Sequence, residues 1–196
     1  NTVLNQHGLP PHPVDAYRHF IGRGVVHLCE RATGLSLADP LAQAVAKAFR
    51  DEYRRRWRDH TRLYPGISEL LDRLTGAAVR MAVLTNKPPP YAELNRELFL
   101  SRWTLDPFWG AGEERPLKPA PDGLLDILDR WQLPKHQAVY VGDTDTDVET
   151  ARAAGVFAVG AAWGFRGRKE LESSGADLVA DTPAQLWTLL RPRLAN

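Results

Sequence analysis

The chain has 196 residues, a formal net charge of +1, 43% hydrophobic residues and 25% charged residues. That composition can bury a sizeable core, and so small a net charge excludes a global field that recruits nucleic acid or an anionic membrane. The single cysteine, Cys29, excludes a disulfide framework and a thiolate metal site, and points to a reducing cytoplasm. No apolar run approaches the roughly 18 to 20 residues that span a bilayer, and no secretory leader pattern is visible.

The chain opens inside a helical pattern at Asn1. Residues 14–21 and 25–32 read as helices, with Gly34 as the stop of the second. A longer helix is expected from Ser36–Asp39 toward Arg62. Its apolar positions Leu41, Val45, Ala48, Phe49, Tyr53 and Trp57 recur at three- and four-residue steps. From about residue 64 the pattern changes to strand-helix alternation. Strands are expected at 79–84, 107–109, 138–141, 156–159 and 178–180. Helices are expected at 67–74, 91–100, 121–131, 145–154 and 183–190, the last opened by Thr182-Pro183. Such alternation implies an α/β fold with parallel strands and right-handed crossovers. Ligands then gather at the carboxyl ends of the strands.

Three strand ends carry polar groups. The strongest signal is Val139-Tyr140-Val141-Gly142-Asp143-Thr144-Asp145-Thr146-Asp147, an apolar strand that runs into three alternating aspartates. Crowded carboxylates repel, so a cation belongs nearby or some of them face water. Oxygen ligands on a rigid strand end suit Mg²⁺, which uses one or two carboxylates and fills its shell with water and substrate oxygens. A calcium loop is excluded, because counting from Asp143 the sixth residue is Val148 and the twelfth is Ala154, not glycine and glutamate. The plainer reading of these aspartates is an acidic first turn favoured by the helix dipole, and Asp147 is the one most open to it. The second signal is Thr85-Asn86-Lys87 at the end of 79–84, where a hydroxyl, an amide and free N–H groups can hold phosphate oxygens or simply make a turn. The third is Lys118 in Leu117-Lys118-Pro119-Ala120-Pro121, a lysine on a stiff segment that can neutralise a phosphate and a carboxylate together.

In order and spacing these three signals resemble the last three of the four motifs of the haloacid dehalogenase superfamily. Thr85 matches the second motif and Lys118 the third. Gly142, Asp143, Thr144 and Asp147 match the fourth, Gly-Asp-Ser/Thr-x-x-Asp. Further segments resemble the phosphoglycolate phosphatase-like branch: Tyr64-Pro65-Gly66, Thr85-Asn86-Lys87-Pro88, Ala151-x-x-Ala154-Gly155, Trp163-Gly164, Gly175-Ala176-Asp177, and Phe20-Ile21-Gly22-x-Gly24 in the helical region. The resemblance implies a Rossmann-like parallel-sheet core over residues 64–196 and a small α-helical cap over 13–63. Residues 1–12 would be the remnant of an N-terminal core helix and its linker.

It also implies a Mg²⁺-dependent phosphomonoester hydrolase of small phosphorylated metabolites, with 2-phosphoglycolate as the leading substrate and an aspartyl-phosphate on the path. Asp143 would be the metal ligand, and Asp147 would orient Lys118 or the metal's water shell. Thr85 would bind a phosphoryl oxygen with help from the Asn86 backbone, and Lys118 would screen charge between nucleophile and phosphate. The chemistry is coherent, since phosphoryl transfer rests on positioning and charge neutralisation. The family's first motif, Asp-x-Asp-x-Thr/Val after an apolar strand, carries the nucleophile and occurs nowhere in residues 1–196. Residues 1–11 resemble the stretch that follows it, so roughly 20 further residues with a central strand are expected. Residues 1–196 alone are expected to be inactive, with strands facing each other across an unpaired gap about twice the usual 4.8 Å.

Arg23, between two glycines at a helix start, is open to two readings: a fork for a substrate carboxylate, or a surface arginine. The run Arg54-Arg55-Arg56-Trp57-Arg58 is interleaved with Asp51, Glu52 and Asp59 and reads as a solvated helix face, not a nucleic-acid patch. Cys29 sits among apolar helical positions and reads as core. The six histidines show no ligand spacing. A phosphomutase or pyrophosphatase, and a truncated phosphatase-like binding domain without turnover, remain alternatives. The expected state is a monomer or homodimer, with no nucleic-acid or membrane partner.

Overall fold

The computed structural model describes residues 1–112 and 115–194. The chain divides into two compact units, Asn1–Arg62 and Leu63–Asn196.

The first unit is helical. It holds α1 (Thr2–Gln6), a 3₁₀ turn (Val14–His19), α2 (Gly24–Thr33) and α3 (Pro40–Arg56). Gly34 ends α2 in the left-handed region at φ 71°, where a Cβ would be strained. Asp39 opens α3 by accepting from the Leu41 N–H at 2.8 Å, with Pro40 in the first turn. Val3 and Leu4 of α1 pack with Val45 of α3, so residues of the expected 1–12 remnant belong to this unit's own core. Cys29 is buried, as its apolar neighbours suggest. Two expected helices are shorter than the pattern implies. The first is a 3₁₀ turn that stops before Gly22 at φ 124°. The second ends at Arg56, whose guanidinium folds over the next turn onto Asp59 at 3.0 Å.

The second unit is α/β. Its helices are α4 (Ile67–Gly76), α5 (Pro89–Asn95), α6 (Asp122–Trp131), α7 (Asp145–Ala154), α8 (Arg168–Ser173) and α9 (Pro183–Leu194). Its strands are β1 (Val83–Leu84), β2 (Phe108–Trp109), β3 (Val139–Gly142), β4 (Phe157–Ala161) and β5 (Leu178–Ala180). Among the described residues the paired strands are all parallel, as the alternation requires, beside one isolated antiparallel bridge between Gly112 and Arg115. Strands β3-β4-β5 form one sheet and β1-β2 another. Helices cover both faces of the larger sheet. Leu70, Leu186 and Leu190 of α4 and α9 meet Val159 on one face. Val148, Ala151 and Leu171 of α7 and α8 meet Ala158 and Val179 on the other.

A single continuous sheet is not what the described residues form. Among them, β1 and β3 each have a hydrogen-bonded neighbour on one side only. Both lie against α6, where Leu124 and Leu128 pack with Leu84 and Tyr140. Val141, inside β3, stays 39% exposed, unusual for an apolar strand residue.

Strand β1 is also shorter than the expected 79–84. Ala78 takes φ 56° and Val79 donates to Leu74 O, so residues 77–79 finish the turn after α4. Backbone bonds to the β2 segment start at Met81 O and continue to Thr85 N. The expected helix 91–100 is α5 followed by a π-helical turn at Arg96–Leu100. The six residues of α8 are too few for periodicity to reveal.

Candidate active site

The end of β1 turns sharply at Thr85-Asn86-Lys87. The Thr85 N–H donates to Trp109 O at 2.9 Å, which continues the ladder. The Thr85 hydroxyl accepts from the Lys87 N–H at 3.1 Å. The Asn86 side chain reaches across to residue 118 and makes two bonds. Its Nδ2 donates to Lys118 O, and its Oδ1 accepts from the Lys118 N–H, both at 2.9 Å. An amide that pairs with both backbone groups of one residue fixes that residue's position. The second and third sequence signals are therefore stitched together, by the Asn86 side chain and not only by its backbone.

Lys118 then joins the end of β3. Its Nζ lies 2.6 Å from Asp147 Oδ1, and the two side chains are 12% and 9% exposed. The other oxygen, Asp147 Oδ2, accepts from the Thr144 hydroxyl at 2.7 Å, the Thr144 N–H at 3.1 Å and the Asp143 N–H at 3.2 Å. Thr144 is the N-cap of α7 and Asp147 its third residue, so the two form a capping box. One Asp147 side chain thus caps the start of α7 and pairs with Lys118.

Burial sets the electrostatics of this cluster. It opposes the charged form of Asp147, but Lys118 and the Thr144 donors outweigh it and hold the carboxyl below the usual range. Burial likewise opposes the Lys118 ammonium, and Asp147 outweighs it, leaving the lysine above its ordinary range. Burial raises the Tyr140 hydroxyl to about 12. Its ring lies 5.9 Å from Lys118 Nζ, a distance that suits a cation–π contact.

Asp143 is different. Burial, with Asp147 adding to it, raises its carboxyl above the usual range, against the weaker pull of the Phe165 N–H and Lys118. That N–H donates to Asp143 Oδ2 at 3.0 Å. Gly142 and Gly164 make the packing possible. A Cβ on Gly142 would overlap Asp147 Cβ, and one on Gly164 would overlap the Asp143 carboxylate. Among the described residues no three or more His, Cys, Asp and Glu side chains gather in a metal-binding group. Mg²⁺ does not need such a group, because one or two carboxylates with water and phosphate oxygens suffice. A semi-buried carboxylate disfavoured by its surroundings fits that requirement.

The structure thus links Asn86, Lys118, Asp147 and Asp143 through hydrogen bonds, with Thr85 in the same turn as Asn86. Arg23 lies in the other unit, as the N-cap of α2. Tyr140 and the Phe165 N–H were not marked by the sequence as site groups. The Trp163-Gly164 pair was the available signal for the second, since a glycine after a strand marks a close approach.

The family model of a haloacid dehalogenase-like hydrolase matches residues 1–161. The chain belongs to this family. It is 35% identical over 201 residues to a phosphoglycolate phosphatase of Caulobacter vibrioides, covering 97% of this chain and 83% of the relative. It is 32% identical over 191 residues to the phosphoglycolate phosphatase of Pseudomonas putida, covering 92% and 68%. In fold it resembles a haloacid dehalogenase-like hydrolase of Streptococcus pneumoniae, with a TM-score of 0.84, 24% identity and coverage of 96% and 86%.

Proposed function

We propose that the protein is a Mg²⁺-dependent phosphatase of small phosphorylated metabolites, with 2-phosphoglycolate as the favoured substrate. The observation that carries this reading is the bonded run from Asn86 through Lys118 to Asp147 and Asp143, which gathers cationic, amide and carboxylate groups at two strand ends. The names of the curated relatives favour 2-phosphoglycolate.

In this reading Asp143 is the Mg²⁺ ligand. When bound, the cation would neutralise charge on the phosphoryl oxygens. Lys118 screens the approach of an anionic nucleophile to an anionic phosphate, and Asp147 holds the Lys118 amine in place. Thr85 and the Asn86 N–H take a phosphoryl oxygen. Residues 13–63 form the unit read as a cap, and its Arg23 offers a guanidinium fork suited to a carboxylate. The nucleophilic aspartate comes from a further parallel strand seated between β1 and β3. Supporting this, each has a partner on one side only among the described residues, and both lie against α6.

Phosphate release from para-nitrophenyl phosphate and 2-phosphoglycolate tests the reading. Residues 1–196 alone should release none. The same chain extended by a strand bearing Asp-x-Asp should release phosphate only with Mg²⁺. Full activity of that extended chain after Asp143→Asn would overturn the assignment.

A further inference from the structure

The loop after β4 does more than connect it to α8. Within residues 162–167 the Phe165 N–H donates to Asp143 Oδ2 at 3.0 Å, and the Arg166 N–H donates to Asp143 O at 3.1 Å. Gly164, between Trp163 and Phe165, lets the loop lie directly on the Asp143 carboxylate. The Arg166 side chain is only 5% exposed. Its guanidinium lies 3.6 Å from Asp145 Oδ1 and 2.7 Å from Glu170 Oε1. The closer contact, at Nε, lies outside hydrogen-bond geometry and acts through charge. Asp145 is the first residue of α7 and Glu170 sits in the first turn of α8. One buried cation therefore ties the starts of two helices to the loop that touches Asp143.

We propose that Arg166 is a positioning residue of the site. By clamping residues 162–167 it fixes the Phe165 N–H on Asp143 Oδ2, and so presents Oδ1 to the cation. The inference rests on the reading of Asp143 as the Mg²⁺ ligand. Its physical basis is the charge-assisted bond from an N–H to a carboxylate, which is strong only while its geometry holds. A short loop keeps that geometry only if its backbone entropy is already suppressed. Partners that orient a metal ligand in this way contribute measurably to affinity.

The experiment uses the chain extended by the Asp-x-Asp strand, with Mg²⁺ alone as the probe, read by calorimetry and by the amide resonance of Phe165. In the wild type the Phe165 amide should be shifted downfield, and Mg²⁺ should bind. In Arg166→Met the resonance should move upfield and Mg²⁺ affinity should fall by about tenfold to a hundredfold. Arg166→Lys keeps the charge without the fork, and should recover only part of the affinity. A merely structural arginine would lower stability while leaving the Phe165 resonance and the affinity of the folded protein unchanged, and that result overturns the inference. Should Arg166→Met fail to fold, Asp145→Asn cuts the same bridge from α7. It should move the resonance in the same direction and weaken Mg²⁺ binding, and no change in either overturns the inference. A wild type that takes up no Mg²⁺ would instead overturn the metal reading of Asp143, and this inference with it.

Discussion

Replacing Lys118 with methionine should cost about 3–5 kcal/mol of stability, measured by urea unfolding, because it strands the Asp147 carboxylate in a buried site. The amine lies 2.6 Å from Asp147 Oδ1, and both side chains are close to fully buried. The Thr144 donors would still serve Oδ2, but Oδ1 would lose its strong partner. Total stabilities of domains lie near 5–15 kcal/mol, so the effect is large. The double variant Lys118→Met with Asp147→Asn should recover much of the loss, since an amide keeps an acceptor for Thr144 without a buried charge. Additive losses would show that the two groups do not interact.

The pH dependence follows from the same pair. The Asp147 carboxyl is depressed in the folded state, so its contribution is present above the ordinary carboxyl value of about 3.9 and is lost as pH falls through the depressed value. The Lys118 amine is raised, so its contribution is present below about 10.4 and is lost as pH rises through the raised value. The difference between wild type and Lys118→Met should therefore be greatest between about pH 4 and 10 and should shrink in acid.

The second large effect is expected at Gly142. A Cβ there would overlap the Cβ and carboxyl carbon of Asp147. Neither atom can swing aside, because the capping box holds Asp147 against the first turn of α7. Relief requires β3 and α7 to separate. Gly142→Ala should cost about 3 kcal/mol, the upper end for overpacking, with about 1 kcal/mol more from the damaged cap. Gly76→Ala provides the contrast. Its Cβ would meet nothing within 4 Å at the end of α4, so its urea midpoint should stay level or rise. Equal midpoints for the two variants would contradict the packing described here.

The strand ends were legible because their chemistry is local. Gly142, Asp143, Thr144 and Asp147 fall within six residues, and one strand-helix junction sets their geometry. Lys118 stood out through its flanking prolines, and only the family resemblance, not local pattern, tied it to Asp147, 29 positions away. The hold on Asp143 was not legible for a related reason. It comes from a backbone N–H, which every residue but proline has, on a loop 22 positions downstream. The lengths of β1 and α3 were overestimated because apolar periodicity continues through turns, whereas a positive φ at Ala78 or a side chain folded over a turn at Arg56 ends an element with no change in pattern. Apolar pattern alone is blind to the division into two sheets; the expected gap between them came only from the family resemblance.

Asp143 bears most directly on the metal. Its carboxyl is raised, so the folded chain binds that proton more readily than the unfolded chain does, and the ionised form weakens the fold at neutral pH. Asp143→Asn should therefore raise the melting temperature of the metal-free protein, by roughly 2–4 °C per kcal/mol relieved. The decisive measurement is the melting temperature of wild type and Asp143→Asn at neutral pH, with and without Mg²⁺. The variant should melt higher without Mg²⁺ and be indifferent to it, while Mg²⁺ stabilises the wild type. A Mg²⁺-dependent rise of equal size in both proteins would place the cation elsewhere and contradict the site.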